Sequence, residues 1–378
     1  MAAYLENETP KKLGFGLMRL PKKDGAIDVE AVKEMVDLFL GAGFTYFDTA
    51  FAYTGSEEAI REALVKRYPR SSYTLASKIN VAERFAPDAE ASKRQFYTSL
   101  ERSGAEYFDY YLLHAMMEKN IRKYEEFGIW DFVWEQKKAG LIRHVGFSFH
   151  DSPEVLEQLL TEHPEVEFVQ LQINYADWED PTVASRKNYE VARRHGKSVV
   201  VMEPVKGGKL ADPPDEVKEM MKACRPEMSP ASWAIRFAAS LDGILTVLSG
   251  MSNREQMLDN LSYMKDFSPL NGEEREVIRR AQTVLGAVPS VPCTACRYCT
   301  EGCPAGIRIP EIFAAMNARF DEKEKASAAA RYAEAIREGG RPEDCVACRQ
   351  CEDACPQHLP ITDLLKGAAA QFAEKKEN

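Results

Sequence analysis

The sequence predicts an α/β protein: a (β/α)8 barrel followed by a small helical module. Two patterns along the chain predict the barrel. From residue 11 to about residue 289, short apolar, β-branched runs alternate with amphipathic stretches, and there are eight of each. A third observation sets the module apart, because eight of the nine cysteines fall between Cys293 and Cys355 and only Cys224 lies outside. A length of 378 residues, against roughly 150 per domain, accommodates a large barrel plus an appendage.

The strand candidates are 13–20, 45–49, 73–79, 108–114, 144–149, 168–173, 198–203 and 244–249. The helix candidates between them are 28–40, 56–68, 89–103, 130–138, 152–162, 183–195, 229–240 and 253–263, with apolar positions three to four apart. Asp28 and Ser152 have N-cap chemistry, the latter with Pro153 at the first helical position, and Gly41 and Gly43 act as stop signals. Near-continuous apolar strands such as Val199-Val200-Val201-Met202 suit a buried parallel sheet. The rival architecture, a doubly wound open sheet, usually carries G-x-G-x-x-G after its first strand, and none is present. Residues 271–285 read as a further helix closing the barrel and 286–292 as a linker, dividing the chain into 1–289 and 290–378. In the second part, 309–320, 326–338 and 361–374 have helical spacing, so a helical mini-domain framed by cysteines is expected.

The net charge is −10, from 49 Lys plus Arg against 59 Asp plus Glu, with 12 basic and 14 acidic residues at 290–378 and 37 and 45 before them. Both parts are mildly acidic, which argues against a nucleic-acid contact. No stretch approaches the roughly 18 consecutive apolar residues of a membrane helix, and the first residues lack a secretory pattern. The expectation is a cytoplasmic protein without membrane or nucleic-acid partners. An odd cysteine count in a reducing compartment then favours metal ligation over disulfides.

Cys293, Cys296, Cys299 and Cys303 precede Pro304, and Cys345, Cys348, Cys351 and Cys355 precede Pro356, so C-x2-C-x2-C-x3-C-P occurs twice. A cubane cluster needs four thiolates around one small volume, and a tight loop with cysteines three apart supplies three of them. The alternative, a pair of four-cysteine zinc sites, usually joins two C-x2-C knuckles instead. The module resembles two-cluster ferredoxins, and its long helical insert is similar to the α-helical ferredoxin domains of respiratory iron-sulfur subunits. The resemblance implies two 4Fe-4S clusters, the fourth cysteine of each run serving the other cluster. One set is then Cys293, Cys296, Cys299 and Cys355, the other Cys345, Cys348, Cys351 and Cys303. Cys224 reads as an ordinary thiol.

In barrels of this kind, reactive groups sit at the C-terminal ends of the strands. Asp48 ends the second strand, Tyr53 lies in the loop after it, Lys78 ends the third and His114 the fourth. Singly, these are a helix cap, a pocket wall, a solvated strand end and a core imidazole; together they line one rim. The stretch Phe47-Asp48-Thr49-Ala50-Phe51-Ala52-Tyr53, the strand end Ala76-Ser77-Lys78 and Tyr111-Leu112-Leu113-His114 resemble the aldo-keto reductase superfamily over about residues 11–285. The resemblance implies that Tyr53 protonates a carbonyl oxygen as a nicotinamide gives hydride to the carbon. Lys78, paired with Asp48, would lower the phenol pKa from its usual value near 10, and His114 would hydrogen-bond the same oxygen.

For the nicotinamide, the resemblance implies Ser148 and Gln170 at the carboxamide, with Phe149 where the family has Asn and Met202 where an aromatic ring usually stacks. Lys206 and Gly207, in Lys206-Gly207-Gly208-Lys209, match the segment over the pyrophosphate. Gly250, Arg254, Gln256 and Asn260 match the adenosine-phosphate segment, where Gly250 and Gln256 replace the family's basic residues and Arg254 tilts the choice towards NADP(H) over NAD(H). Phe149 and Met202 leave a flavin as an alternative occupant. Arg19 and a loop at 116–130 are candidate substrate contacts. The leading functional expectation is a carbonyl reductase or alcohol dehydrogenase using NAD(P)H on a small carbonyl or alcohol. The alternatives are single-electron exchange between a barrel-bound substrate or flavin and a ferredoxin-like electron partner, and a non-catalytic electron carrier or docking subunit.

Overall fold

The computed structural model describes residues 11–320 and 324–373. Its first part is a closed barrel of parallel strands: β1 (Leu13–Gly16), β2 (Tyr46–Asp48), β3 (Thr74–Ile79), β4 (Phe108–Met116), β5 (Ile142–Phe149), β6 (Phe168–Gln172), β7 (Ser198–Met202) and β8 (Ile244–Ser249). Sequence neighbours pair throughout, and β1 closes the ring on β8 with Leu13 opposite Val247 and Gly14 opposite Leu248. Each expected strand is present. The first ends early, because Leu17–Arg19 winds into a 3-10 turn and a hairpin of Lys22–Lys23 with Ala26–Ile27 follows.

Period-two alternation divides the apolar residues between two layers. Tyr46, Ala76, Tyr110, Leu112, Phe168 and Val200 fill the barrel interior. Their neighbours Phe47, Leu75, Tyr111, Leu113, Val169 and Val201 face the surrounding helices. Gly146 is required by this packing, since a Cβ there would lie 2.5 Å from the Phe168 carbonyl oxygen and 2.6 Å from its ring.

The helices are α1 (Val29–Gly41), α2 (Ser56–Ile60, continued by a π-helical turn at Arg61–Val65), α3 (Ala89–Ser103), α4 (Glu118–Glu126), α5 (Ile129–Lys138), α6 (Pro153–Glu162), α7 (Ser185–Arg194), α8 (Asp215–Cys224), α9 (Pro230–Ala239), α10 (Arg254–Met264) and α11 (Gly272–Ala287). The Asp28 carboxylate caps α1 by accepting from Ala31 N, and Ser152 caps α6 by accepting from Val155 N. Residues 116–130 are not a loop throughout, because they contain α4. Its sequence is almost wholly polar and buries only Tyr124 among its nine residues, with Ile121 packed against the core one turn before it.

Contacts divide the chain into two compact units, Met1–Val205 with Leu210–Ile278, and Lys206–Lys209 with Arg279–Asn378. The second unit holds α12 (Ile309–Ala318), α13 (Ala328–Glu338), α14 (Gln350–Asp353) and α15 (Ile361–Phe372). Its core joins Ile312, Phe313, Met316, Tyr332 and Leu365 to the buried Cys299, Cys351 and Cys355. The Tyr332 and Phe372 rings stack at 4.3 Å. Gly340 donates its N–H to Gly306 O at 3.0 Å, and a Cβ there would lie 1.9 Å from Ala305 O, so no larger residue fits that crossing. No helix among the described residues is long and apolar enough to cross a membrane.

Candidate functional site

The alternation that fills the barrel also builds its rim. Asp48, Lys78, His114, Gln170 and Met202 each stand two residues beyond an interior side chain, namely Tyr46, Ala76, Leu112, Phe168 and Val200. All five are therefore carried to the inner side of the strands' C-terminal ends. Tyr53 joins them from the loop between β2 and α2, a tight turn in which Tyr53 N donates to Ala50 O at 2.9 Å and its carbonyl accepts from Ser56 N.

Lys78 is 1 % exposed. Its Nζ donates to Asp48 Oδ1 at 2.5 Å and to Thr49 O at 2.8 Å, and lies 3.5 Å from the Tyr53 hydroxyl. Burial draws the Lys78 pKa below its ordinary value, with the Asp48 charge acting in the opposite sense, and burial lifts Asp48 above the usual carboxylate range. The ammonium thus sits against a carboxylate on one side and a phenol on the other. The His114 ring meets the Tyr53 ring edge-on, centroids 5.8 Å apart. Burial first, then the positive charge of Lys78, pushes the His114 pKa well below its ordinary value, so this imidazole is neutral near pH 7.

The backbone after His114 is held from outside the expected set. The Tyr124 hydroxyl of α4 donates to His114 O at 2.6 Å. Ala115 has φ of 55°, and it is held in that left-handed conformation by its N–H donating to Ser148 Oγ at 2.7 Å and by Asn120 Nδ2 donating to its carbonyl at 2.8 Å. Ser148 therefore already serves the turn behind His114, with its own hydroxyl proton left to donate. Gln170 lies opposite Ser148 in the sheet register. It is 2 % exposed, and its Oε1 is buried without a hydrogen-bond partner. An amide oxygen stranded in that way fits a ligand that brings an N–H, as a carboxamide does.

Two buried or ion-paired groups at this rim escaped sequence reasoning. Glu57 on α2 is 1 % exposed and accepts from Ser77 Oγ at 2.8 Å, next to Lys78 in sequence. Glu203 has φ of 53° and accepts from Arg19 at 2.9 Å. Arg19 could be suspected of a rim position, but not of this partner.

The nucleotide candidates are dispersed. Lys206, Gly207 and Gly208 have φ of 49°, 64° and 99°, a left-handed run closed by Lys209 N donating to Lys206 O at 3.2 Å. This stretch belongs to the second compact unit, where Lys209 Nζ donates to Val291 O and a Cβ on Gly207 would meet Thr294 O at 2.5 Å. Gly250 leaves open space, the nearest atoms to a Cβ lying 4.0 Å away. Gln256 Oε1 accepts from Ser252 N at 2.8 Å, folding back on its own loop. Asn260 Oδ1 accepts from Ser249 Oγ at 2.6 Å, and exposed Arg254 is paired with Glu34 at 2.6 Å.

In the second unit, two cavities separate the cysteines. One is lined by Cys293, Cys296, Cys299 and Cys355, with Ile309 and Phe313. The other is lined by Cys303, Cys345, Cys348 and Cys351, with Ile307 and Leu365. The fourth cysteine of each run thus crosses to the other set. The two loops repeat one backbone, with left-handed φ at Ala295 and Arg297 in the first and at Ala347 and Arg349 in the second. Burial, together with the facing Cys296, Cys293 and Cys355, raises the Cys299 thiol far above its ordinary value, and burial lifts Cys351 to about 11. Thiols so placed ionise only against a compensating cation. Among the described residues no three His, Cys, Asp or Glu side chains converge as ligands of a single ion. Four sulfurs lining one cavity supply the ligand count that a cubane cluster requires. The Ala295 and Ile307 amides donate to Cys293 Sγ and Cys303 Sγ at 3.4 Å, contacts of the kind that set cluster potentials.

Residues 12–282 match the aldo/keto reductase family. The chain belongs to that family. Residues 292–359 match the 4Fe-4S dicluster domain, so this aldo/keto reductase carries a second domain built for iron-sulfur clusters. An aldo-keto reductase of Mycobacterium avium is 26 % identical over 70 % of this chain and 84 % of its own length. An aldo-keto reductase of the fungus Strobilurus tenacellus is 28 % identical over 53 % of this chain, which spans about three fifths (59 %) of that relative. Among solved structures, the holo form of an aldo-keto reductase from Bacillus halodurans aligns with a TM-score of 0.57 at 25 % identity, over 71 % of this chain and 91 % of that one. An aldo-keto reductase from Klebsiella pneumoniae, solved with NADPH, has the same TM-score at 20 % identity over 71 % and 90 %, a likeness of fold alone. The chain is an oxidoreductase with the fold of its family.

Proposed function

We propose that this aldo/keto reductase is a carbonyl reductase or alcohol dehydrogenase that uses NADP(H) or NAD(H), with Asp48, Tyr53, Lys78 and His114 as its catalytic set. The observation that carries this reading is the position of Lys78 Nζ, 2.5 Å from Asp48 and 3.5 Å from the Tyr53 hydroxyl. When bound, the nicotinamide supplies or receives the hydride at the substrate carbon. In the reducing direction, Tyr53 gives its hydroxyl proton to the carbonyl oxygen, and the phenolate left behind is stabilised by the Lys78 ammonium. Asp48 fixes that ammonium through a bond that does not compete with the phenol. Neutral His114 can donate one ring N–H to the same oxygen without lending it full charge. Gln170 Oε1 and the Ser148 hydroxyl are the groups for the carboxamide, with Met202 beside the ring, Lys206 and Gly207 at the pyrophosphate, and Gly250, Arg254, Gln256 and Asn260 along the adenosine.

In the dicluster domain, taken as 290–378 after a barrel of 1–289, Cys293, Cys296, Cys299 and Cys355 hold one 4Fe-4S cluster and Cys303, Cys345, Cys348 and Cys351 the other. Clusters held by these cysteines would supply one-electron transfer, with a ferredoxin-like protein as the electron partner, and the enzyme works in the cytoplasm, where its thiols stay reduced. The test is anaerobic NADPH and NADH oxidation across a panel of aldehydes and ketones, alongside iron and sulfide analysis. Turnover should fall about 100-fold or more in Tyr53→Phe, and two clusters require about eight irons and eight sulfides per chain. Turnover of neither nicotinamide by the wild type, or full activity without the Tyr53 hydroxyl, overturns the reductase reading.

A further inference from the structure

The two cysteine loops share a sequence pattern, Cys-x-Ala-Cys-Arg-x-Cys, and a backbone, yet they meet solvent differently. In the first, Cys299 and Thr294 are buried, and the Arg297 guanidinium is tied to Glu311. In the second, every residue from 346 to 350 is exposed, Cys348 included. Val346 is 68 % exposed, the most exposed large apolar side chain among the described residues. Arg349 beside it has a side chain 73 % exposed, with its nearest carboxylate, Glu352, 3.9 Å away. An apolar contact next to a solvated guanidinium, directly on the ligand loop of a cluster, has the composition of a small electron-transfer interface.

We propose that residues 346–350 are the docking site for a one-electron carrier protein with an acidic face, and that electrons enter or leave through the cluster of Cys303, Cys345, Cys348 and Cys351. This rests on the reading of the clusters as one-electron carriers given above. In the entering direction, one electron leaves the reduced carrier and converts that cluster from its oxidised to its one-electron-reduced state, with no proton transferred and no bond broken. Arg349 supplies attraction to carboxylates on the carrier, and Val346 supplies the contact that excludes water once the two meet. Arg297, held by Glu311 on the other loop, plays no part in docking.

The experiment is stopped-flow mixing of the anaerobic, cluster-loaded full chain with a reduced plant-type 2Fe-2S ferredoxin, an acidic carrier, following the bleaching of the 4Fe-4S absorbance. Rates are normalised to iron content. Val346→Asp should slow reduction roughly tenfold and Arg349→Gln roughly fivefold, with Arg297→Gln within about twofold of wild type. Raising the salt concentration should erase most of the Arg349 effect, because the contact is exposed. Reduced methyl viologen, a small reagent needing no docking surface, should reduce all four proteins at similar rates. Wild-type rates in both second-loop variants, or equal slowing in Arg297→Gln, overturn the docking site. Clusters that methyl viologen cannot reduce overturn the one-electron reading and the proposal together. Reduction by viologen but not by ferredoxin in the wild type overturns the docking site alone.

Discussion

The barrel rim and the dicluster domain both gather polar groups in the interior, but they compensate them differently. At the rim, the charge of Lys78 is answered by Asp48 and the Thr49 carbonyl, and the turn after His114 is held by Tyr124, Ser148 and Asn120. These are the chain's own groups, so the site is set before any ligand arrives. In the dicluster domain, the core includes thiols that face one another across two cavities. Burial first, and then their mutual proximity, raises the cost of ionising them, which an imported cation reverses. One region is preorganised, whereas the other is completed by what it binds.

The sharpest way to break that contrast is Cys299→Ala. Cys299 is buried between the first cavity and the apolar core, so its loss should remove one cluster, take iron from about eight to about four per chain, and open the domain to proteolysis. The melting of the barrel should be unchanged. A dicluster domain that stays protease-resistant and well ordered without its first cluster would show that it too is self-supporting.

Lys78→Met attacks the other side of the comparison. Removing one partner of a buried pair leaves Asp48 uncompensated and should destabilise the barrel by about 3–5 kcal/mol. Turnover should also fall, by roughly 100-fold or more, through loss of the cation beside Tyr53. Lys78→Met with Asp48→Asn should recover most of the stability and none of the activity. Denaturant melts and steady-state rates on the three proteins check this, and recovery of activity in the double variant would contradict the assignment.

How much of this was legible beforehand follows from which interactions are local. Alternation along a strand is local, so the rim positions of Asp48, Lys78 and His114 could be read from the chain, and so could the paired cysteine runs, whereas Gln170 came only from the family resemblance. The purpose of α4 could not be read there, since the contact of Tyr124 with His114 O is tertiary. Likewise the end of β1 at Gly16 is invisible in an apolar run that continues to Leu20. Glu57 reads as a surface carboxylate in a Ser-Glu-Glu helix start until Ser77 is seen beneath it. Arg254 and Glu34 lie 220 residues apart, beyond any pattern of spacing.

Acid distinguishes the rim by a smaller amount. The pKa of His114 is depressed in the folded state, so the unfolded chain binds its proton more readily. Stability from this group is complete above the ordinary His value near 6.5 and is lost as pH falls from there towards the depressed value. The slope is at most about 1.4 kcal/mol per pH unit from this one residue. Comparing denaturant midpoints at pH 7 and pH 5, His114→Gln should lose less stability than the wild type. An equal loss would mean that His114 is as easily protonated inside the barrel as outside it.

The smallest expected effect concerns nucleotide choice, and it asks whether the rim is preorganised even at its edge. Arg254 is half exposed and engaged by Glu34, so before it can meet a 2'-phosphate it must exchange one anion for another. Exposed pairs of this kind hold by roughly 0.2–1 kcal/mol, a factor of about 1.4 to 5. Glu34→Gln should therefore tighten NADPH by up to about threefold, whereas Arg254→Gln should weaken it by about fivefold, each leaving NADH within error of wild type. Equilibrium titration by nicotinamide fluorescence measures all four constants. Opposite signs in the two variants would identify Glu34 as a competitor for the phosphate and Arg254 as its ligand. If both variants shift NADPH and NADH together, the pair merely braces α1 against α10, and the discrimination lies elsewhere on the segment from Gly250 to Asn260.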